Sequence, residues 1–393
     1  MGKKSLKHSS ESETRYKIFL PVETISEYFM ENSYNFHPNV EPGPTRAFTA
    51  TPGQPVTGSA AAWTGKELEA SNAWRFKAEE REIGCLVDLA RDVADGLNDD
   101  PDKLLTMRAD AFDLGPFSEL LRDIMACVRN GPGVALYRGL PLDDLTLLEA
   151  AVIYWGVGQH LGIAQSNNPE GDVIGHVLDA GKDYRDPNHR GYQTRAALDY
   201  HCDQTDLVCL MCINEAKTGG LSKLASSIQA YNELLKRRPD LVEVMSQPYC
   251  WTKHAETNTG ELPYYESPVF NFLDDTLSIA FGPKHMKKGH ALDEAPDMTP
   301  EQAEGISVME GIAEEIHAKM EFKRGDIQFV NNYTILHTRT AFEDWPEPER
   351  KRTLWRLWLN LEDFHPHTPY SEQWSHGVSI DGAGQRVELV YPD

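Results

Sequence analysis

Residues 198–214 read LDYHCDQTDLVCLMCIN and join a candidate metal motif to the longest clearly apolar run of the chain. The run covers residues 207–213 and predicts a buried strand. His201 and Asp203 precede it, with one residue between them. Because side chains at positions i and i+2 of a strand point to the same side, both groups could reach one ion. The segment therefore predicts a core strand with two candidate metal ligands at its head.

The surrounding sequence predicts many strands and several separate helices. Strand-like segments are GVALYRGLPL, YCWTKH, PVFNFL, LSIAFG, GDIQFVNNYTILHTR and RTLWRLWLNLED. Helical periodicity marks EIGCLVDLARDVADGL, FSELLRDIMACVRNG ending at Gly131, residues 145–161, SSIQAYNELLKRRPDLVEVM capped by Ser226 or Ser227, and residues 300–320 capped by Thr299. Strands without regular βαβ alternation argue against a doubly wound sheet. They favour an α+β protein whose core is a sandwich or barrel with added helices.

Composition predicts one large domain behind an N-terminal arm. At about 150 residues per domain, 393 residues suggest two or three domains, although barrels and sandwiches often run longer as one unit. Residues 1–75 are rich in Ser, Thr, Pro, Gly and charge, which predicts a loop-rich or partly disordered arm. Residues 76–393 are then expected to form a single domain with the strands at its core.

Charge and cysteine content indicate which classes of binding partner are disfavoured and which cellular compartment is expected. The chain has 38 Lys and Arg against 61 Asp and Glu, a net charge of −23, which disfavours nucleic acid and anionic membrane surfaces. No apolar run is long enough to span a bilayer, and the start lacks a secretory signal. Six scattered cysteines suit a reducing, cytoplasmic setting. Cys209 and Cys212 form a C-x-x-C but should face opposite ways on a strand. A homo-oligomer is left open.

The H-x-D spacing alone carries little information. With 14 His and 61 acidic residues in 393, chance predicts about two such motifs, and two occur. His254 and Glu256 lie in the polar stretch KHAETNTGE, which predicts a solvated loop. His201 and Asp203 instead head an apolar strand, where a barrel would place them at its mouth. Two histidines and one carboxylate can bind Fe(II) and leave coordination positions open for substrates. To form such a site, His201 and Asp203 need a second histidine from elsewhere in the chain.

Three further features accompany His201 and Asp203. The turn KTGGLS, residues 217–222, adds glycines and the hydroxyl of Ser222. His337 ends a strand-like segment, and Arg352 follows it after 15 residues. On the predicted strand RTLWRLWLN, Arg352, Leu354, Arg356 and Trp358 share one face. An arginine among apolar neighbours is either a snorkelling surface residue or an inward anchor for a carboxylate.

Together these residues resemble the taurine dioxygenase/TfdA-like family of Fe(II)- and 2-oxoglutarate-dependent dioxygenases. The family pattern is H-x-D, T-G-G-x-[TS], a distal His and a later Arg, and the match covers about residues 133–363. The resemblance implies a double-stranded β-helix (jelly-roll) core with flanking helices. It implies iron binding by His201, Asp203 and His337, contact of the distal carboxylate of 2-oxoglutarate with Ser222 and Arg352, and a place for Arg356 near the cosubstrate's other carboxylate or the prime substrate.

The activity implied by the resemblance is oxidation of a C–H bond of a small molecule. Fe(II), the cosubstrate 2-oxoglutarate and O2 would be used, yielding succinate and CO2, with hydroxylation, desaturation or cyclisation as the outcome. Cys202 stands where relatives often have Thr and should point away from the metal. A halogenase is disfavoured because Asp203 is present. A zinc hydrolase using the same ligands and a catalytically silent jelly-roll binding module remain alternatives.

Two minor features are expected to be structural. His365 and His367 form an H-x-H in the proline-bearing stretch FHPHTPYSE, which predicts a solvated tail. Trp345, Trp355 and Trp358 could line the pocket, although core packing is the commoner reason for buried aromatic residues.

Overall fold

A computed structural model describes residues 49–186, 188–273, 275–373 and 376–390 of the chain. Eight α-helices lie in this part: α1 (Gly65–Ala70), α2 (Glu80–Leu97), α3 (Phe117–Asn130), α4 (Leu147–Gln159), α5 (Ser227–Arg237), α6 (Pro239–Met245), α7 (Pro283–His290) and α8 (Pro300–Ile316). The early strands are β1 (Arg75–Phe76), β2 (Val134–Tyr137), β3 (Ile163–Gln165), β4 (Gly175–Val177), β5 (Leu207–Asn214), β6 (Thr218–Gly219), β7 (Ser222–Ser226) and β8 (Tyr249–Thr252). The later strands are β9 (Tyr264–Ser267), β10 (Phe270–Leu273), β11 (Thr276–Ile279), β12 (Ala318–Met320), β13 (Ile327–Asn331), β14 (Ile335–Arg339), β15 (Phe342–Glu343) and β16 (Thr353–Asn360).

Two sheets form the centre of the protein. The larger has the order β1-β2-β13-β5-β16-β3, with β4 also paired to β16, and the smaller has the order β12-β7-β14. All pairs in these sheets are antiparallel except β1 with β2. The strand predicted from residues 207–213 therefore lies inside the larger sheet, between β13 and β16.

The two sheets face each other across a shared apolar cluster. Its members include Val208, Leu210 and Cys212 of β5, Leu354 and Trp358 of β16, Leu224 of β7, Met320 of β12 and Ile335 of β14. Cys209 lies in a different cluster, on the other face of β5, so the two cysteines of the C-x-x-C point opposite ways as predicted. Antiparallel sheets packed face to face agree with the predicted α+β jelly-roll core.

Helices cover the outer face of each sheet. The outer face of the larger sheet packs on α2, α3 and α4 through residues such as Leu86, Ile124 and Val152. The outer face of the smaller sheet packs on α5 and α8, and α6 packs against these two helices in the same apolar cluster. On β14, Ile335 lies between the sheets and Leu336 lies under the helices. Alternation therefore directs His337 into the space between the sheets.

Several element ends differ from the predictions. The helix predicted over residues 300–320 ends at Ile316, because Ala318–Met320 pairs with β7 as an edge strand. The helix predicted after Ser226 begins there, with the Ser226 hydroxyl accepting from the Gln229 backbone N–H, but Arg238 and Pro239 divide it into two helices. Proline lacks the N–H that a continuous helix needs at that point.

The predicted N-terminal arm of residues 1–75 falls only partly on described residues, since residues 1–48 lie outside them. The part from residue 49 onward is packed rather than extended. It contains α1 and buries Trp63 and Trp74, whose indole N–H groups donate to the backbone oxygens of Pro132 and Leu68. Within the described residues, no helix is both long and apolar enough to cross a membrane.

Candidate metal centre

Three side chains predicted as metal ligands converge between the sheets. His201 and His337 pair through their backbones, with N···O distances of 3.0 and 2.8 Å, and their rings lie 4.5 Å apart. The His201 Nε2 and His337 Nε2 atoms each lie 3.9 Å from a different oxygen of Asp203. One ligand atom from each of the three residues falls within 4.8 Å of the other two, so the group could hold a metal ion.

The H-x-D segment reaches this geometry without being a regular strand. β5 begins at Leu207, and His201 is tied to the smaller sheet by its isolated bridge to His337. Cys202 points away from the cluster, since its Sγ accepts from the Phe281 backbone N–H at 3.2 Å. The three side chains therefore converge as predicted. His201 and Asp203, however, lie in a short irregular segment before β5 and not on the strand itself.

Donor groups hold the Asp203 carboxylate in position. The Trp358 indole N–H donates to Oδ2 at 2.9 Å, and Arg356 Nη1 lies 3.3 Å from the same oxygen. The Asp203 backbone N–H donates to Asn332 Oδ1 at 3.1 Å. Burial alone would raise the pKa of Asp203, but Arg356 and the two imidazoles hold that pKa well below its usual range. The group is therefore a carboxylate anion, as a metal ligand must be.

Hydrogen bonding and burial prepare the two imidazoles for metal binding in different ways. His201 Nδ1 lies 2.8 Å from the backbone oxygen of Asp199, to which it donates in the tautomer that leaves Nε2 free. Burial lowers the pKa of His337 to about 3, and His201 acts in the same direction. His337 is therefore neutral. Two imidazoles and one carboxylate form the mixed nitrogen and oxygen set that suits non-haem Fe(II).

The predicted carboxylate anchor, Arg352, is buried beside the glycine turn. Its Nη1 has no hydrogen-bond partner in the described part of the chain, and burial lowers the pKa of its guanidinium to about 10. Gly220 has φ +68°, and a Cβ there would lie 3.0 Å from Arg352 Nε. The T-G-G turn therefore packs directly on the arginine, and an unpaired buried guanidinium is suited to receive an anion.

Ser222 and Arg356 are both brought into the space between the sheets. Ser222 is buried on β7, directly opposite Arg339 of β14. Arg356 faces the metal cluster, but Asp203 and Asn167 take up much of its guanidinium, with Nε 2.7 Å from Asn167 Oδ1. Its Nη2 is buried without a partner among the described residues. Arg356, which was expected to lie near the substrates, thus also contacts the carboxylate of Asp203.

Comparison with known proteins agrees with this site. The chain matches the family described as Taurine catabolism dioxygenase TauD, TfdA family, over residues 102–358. The chain belongs to the TauD/TfdA family. One relative is FR-33289 synthase of Streptomyces rubellomurinus, 28% identical over 315 residues, covering 79% of this chain and 91% of that protein. Another is the taurine hydroxylase-like protein SAT17 of Stachybotrys chartarum, 27% identical over 321 residues, covering 77% and 79%.

Solved structures share the TauD/TfdA fold with this chain. Asparagine oxygenase in complex with Fe(II), 2S,3S-3-hydroxyasparagine and succinate has a TM-score of 0.59 and 18% identity, covering 73% of this chain and 93% of its own. The non-haem iron oxygenase OrfP in complex with Fe and alpha-ketoglutaric acid has a TM-score of 0.55 and 12% identity, covering 73% and 94%. Both complexes contain iron, the first with succinate and the second with 2-oxoglutarate, and His201, Asp203 and His337 of this chain could hold a metal.

An ion pair close to Trp358 was not predicted from the sequence. Glu256, expected in a solvated loop, forms a buried ion pair with Arg190, whose Nε donates to Glu256 Oε1 at 2.9 Å. The Arg190 guanidinium lies 5.9 Å from the Trp358 ring, and Asp203 is among the charges acting on it. His254, expected to be solvated with it, is also buried, and its ring lies 4.4 Å from that of His285. The pairing joins segments 66 residues apart, which no local pattern predicts.

The H-x-H near the C-terminus also differs from its prediction as a solvated tail. His365 stacks on Tyr333 with ring centroids 3.9 Å apart, and its Nε2 lies 2.6 Å from Ser278 Oγ. His367 is one-third exposed and lies 3.5 Å from Asp206. Neither belongs to the metal group found in the described residues. Of the tryptophans, Trp358 contacts Asp203, whereas Trp355 packs in the outer core as expected.

Proposed function

We propose that the chain is an Fe(II)- and 2-oxoglutarate-dependent dioxygenase that oxidises a C–H bond of a small metabolite. One observation carries the proposal: two imidazoles and an anionic carboxylate converge within 4.8 Å, and the structure also buries the Arg352 guanidinium with an N–H that has no partner among the described residues. A zinc hydrolase would need the three ligands but not Arg352 or Ser222. Family membership and this additional cation therefore favour the oxygenase.

The residues of the chain divide the work between binding and positioning. His201, Asp203 and His337 hold the metal, while Trp358 and Arg356 fix the carboxylate of Asp203. Arg352 and the Ser222 hydroxyl bind the distal carboxylate of 2-oxoglutarate. When bound, Fe(II) and 2-oxoglutarate supply the oxidation: one O2 is consumed, one oxygen atom enters the succinate formed with CO2, and the other serves to oxidise the substrate. The protein itself positions substrate and excludes water.

The prime substrate is proposed to be a small, polar, carboxylate-bearing or amino-acid-like metabolite. Two observations support this class. The buried pair of Arg190 and Glu256 lies beside Trp358, so a cation and an anion both stand next to the metal cluster. The related oxygenase structures contain hydroxylated asparagine and arginine. Hydroxylation, desaturation and cyclisation all fall within the proposal, because the pose of the substrate sets the outcome.

Anaerobic titration with Fe(II) and then 2-oxoglutarate tests the proposal. A weak visible charge-transfer absorption should appear and saturate with one cosubstrate per chain. Absence of that absorption in folded protein would favour the zinc hydrolase or the silent binding module. A screen of amino acids and small carboxylic acids for stimulated succinate release would then identify the substrate class.

The variant Asp203→Ala supplies the matching loss of function. We expect it to abolish metal binding and succinate formation, because a required ligand is removed. Asp172→Ala is the control, since Asp172 is also a buried aspartate paired with an arginine, Arg386, but lies outside the metal group. Succinate formation retained in the Asp203 variant would remove that residue from the ligand set.

A further inference from the structure

A second buried guanidinium, that of Arg339, lies close to Arg352. The two Cζ atoms lie 4.7 and 5.0 Å from the centroid of the same ring, Phe342. Among the described residues neither guanidinium forms an ion pair, and Arg339 Nε, like Arg352 Nη1, is buried without a hydrogen-bond partner. Two buried cations without an ion-pair partner are costly. Their common environment therefore calls for a negatively charged ligand.

Strand register turns Arg339 toward the proposed cosubstrate site. In the pairing of β14 with β7, Arg339 stands opposite Ser222, and His337 stands opposite Leu224. Directly opposed side chains in an antiparallel pair lie on the same face, about 5 Å apart at Cβ. Arg339, Ser222 and His337 thus share the face that looks into the space between the sheets, because residues two apart on a strand point the same way.

No carboxylate of the described residues forms an ion pair with either guanidinium, although the charges of Asp344 and Asp179 act on Arg339 and that of Asp344 acts on Arg352. Asp344, a neighbouring acid, instead accepts the backbone N–H of Arg352 at 2.7 Å. Arg339 Nε and Arg352 Nη1 therefore both have hydrogen-bonding capacity left for an anionic ligand.

The same guanidinium also holds the segment that precedes the metal ligands. Arg339 Nη1 donates to the Ala196 backbone oxygen at 2.6 Å, and Nη2 donates to that of Thr194. Residues 190–198 cover the metal cluster from this side: Arg190 lies over Trp358, and the Tyr192 ring lies 4.8 Å from the Arg356 guanidinium. Arg339 is therefore bonded to the covering segment while its Nε stays buried without a partner among the described residues.

We propose that Arg339 is a second cationic contact for the distal carboxylate of 2-oxoglutarate and, through its two carbonyl bonds, the residue that couples cosubstrate binding to the order of residues 190–198. The inference rests on the proposed function, since it assigns a further residue to the same cosubstrate site. Arg352 and Arg339 would approach the carboxylate from different strands. Arg339 binds and positions, and it takes no part in the oxidation itself.

The test compares 2-oxoglutarate with 2-oxopentanoate, which has a methyl group in place of the distal carboxylate. Binding to the full-length Fe(II) protein is measured without O2 by the charge-transfer absorption, in wild type, Arg339→Met and Thr338→Val. Thr338 is the matched control, because its hydroxyl donates to the Leu198 backbone oxygen at 2.7 Å and so also tethers the segment, but it carries no charge.

We expect Arg339→Met to reduce the preference for 2-oxoglutarate over 2-oxopentanoate by about 10- to 100-fold, the size of a lost charge-assisted hydrogen bond. The affinity of Arg339→Met for 2-oxopentanoate should fall no further than that of Thr338→Val, which also loses a tether to the segment. Thr338→Val should keep the wild-type preference. An unchanged preference in Arg339→Met overturns the inference but leaves the proposed function standing. Absence of 2-oxoglutarate binding in the wild type would instead remove the proposed function.

Hydrogen exchange in the wild-type protein gives a second measurement that does not depend on a variant folding. With Fe(II) and no O2, saturating 2-oxoglutarate should slow exchange of the backbone amides of residues 190–198 more than saturating 2-oxopentanoate does. The difference arises because a ligand anion fixes Arg339, and Arg339 holds the carbonyls of this segment. Equal protection by the two keto acids would overturn the coupling.

Discussion

Trp358 and Trp355 lie on opposite faces of β16, and their indole N–H groups meet different surroundings. The Trp358 N–H donates to Asp203 Oδ2 at 2.9 Å, whereas the Trp355 N–H is buried with no partner in the described residues. Groups that orient a metal ligand typically contribute 10- to 100-fold to metal affinity. An unsatisfied buried donor contributes nothing favourable and carries a desolvation cost.

Replacing each tryptophan by phenylalanine separates these roles. Trp358→Phe should weaken Mn(II) binding about tenfold, because the carboxylate of Asp203 loses a donor while most of the ring volume is kept. Trp355→Phe should leave Mn(II) affinity unchanged. Calorimetric titration of both variants with Mn(II), a redox-inert substitute for Fe(II), gives the comparison. Equal affinities in the two variants would mean that the indole bond does not position Asp203.

Arg352 should control cosubstrate affinity more than catalytic rate. Arg352→Leu is expected to raise the KM for 2-oxoglutarate about 100-fold, because the distal carboxylate would be buried without its main cation. The maximal rate at saturating cosubstrate should fall much less. Steady-state succinate formation measures both, with Arg91→Leu on the exposed face of α2 as the control. A KM equal to that of the wild type would place the anchor elsewhere.

The spacing of residue types in the sequence identified the candidate metal ligands, which belong to a recognisable motif. His201, Asp203 and His337 were predicted from types and separations, and their convergence is confirmed. The buried contacts of Arg339 and the ion pair of Arg190 and Glu256 were not predicted. The partners of these residues are backbone carbonyls or side chains 66 to 145 positions away, so no local periodicity marks them.

At the scale of single elements, the T-G-G turn shows why a short motif can be diagnostic. Gly219 and Gly220 both have positive φ, and a Cβ at Gly219 would lie 2.3 Å from the Ala341 backbone oxygen. Side chains rarely adopt this backbone region, and here there is also no room for them. The turn thereby fits between β15 and Arg352 and fixes the position of the guanidinium.

Gly220→Ala should therefore impair the cosubstrate site as well as the turn. The left-handed conformation costs about 1 kcal/mol for a non-glycine residue, and the new Cβ would displace Arg352 Nε, which lies 3.0 Å away. We expect about tenfold weaker 2-oxoglutarate binding. Gly53→Ala is the matched control, with φ +71° and nothing within 4 Å of the Cβ position. The same loss of cosubstrate affinity in both variants would contradict a direct contact.

The helices and strands were predicted well where one face of a regular pattern is buried. The helix ending at Gly131 and the strand after residue 206 agree with their patterns. The end of α8 was wrong because Ala318–Met320 is drawn into β12 by pairing with β7, a strand almost 100 positions earlier. Tertiary pairing of this kind overrides local propensity, and an amphipathic pattern contains no information about it.

At the scale of the whole molecule, the C-terminal region returns to the strand that follows the metal ligands. Asp206 is fully buried, accepts the backbone N–H of Leu361 at 2.8 Å and the hydroxyl of Tyr333 at 2.5 Å, and lies 3.5 Å from His367 Nε2. The segment after β16 is therefore joined to the core partly through a group that titrates near neutral pH. Global stability should depend on that charge.

The direction of this dependence follows from the pKa of His367, which its hydrogen bond to Asp206 raises above the usual 6.5. Because the folded state then binds the proton more tightly than the unfolded state, the stabilisation is fully present below about pH 6.5. It is lost as the pH rises through the higher folded-state pKa. The group is one-third exposed, so screening by solvent limits the effect to about 0.5–1 kcal/mol.

His367→Gln should accordingly lose stability at pH 6 and little at pH 9, relative to the wild type. Urea unfolding at a series of pH values measures the difference in free energy of unfolding between the two proteins. Buried histidines that both proteins contain, such as His337 and His365, titrate in both and cancel from this difference. His376 also lies near, and its pKa is lowered by burial and by the charge of His367, so His376→Gln is the control and should retain the wild-type trend. A difference between wild type and His367→Gln that stays constant from pH 6 to pH 9 would show that His367 acts through packing alone.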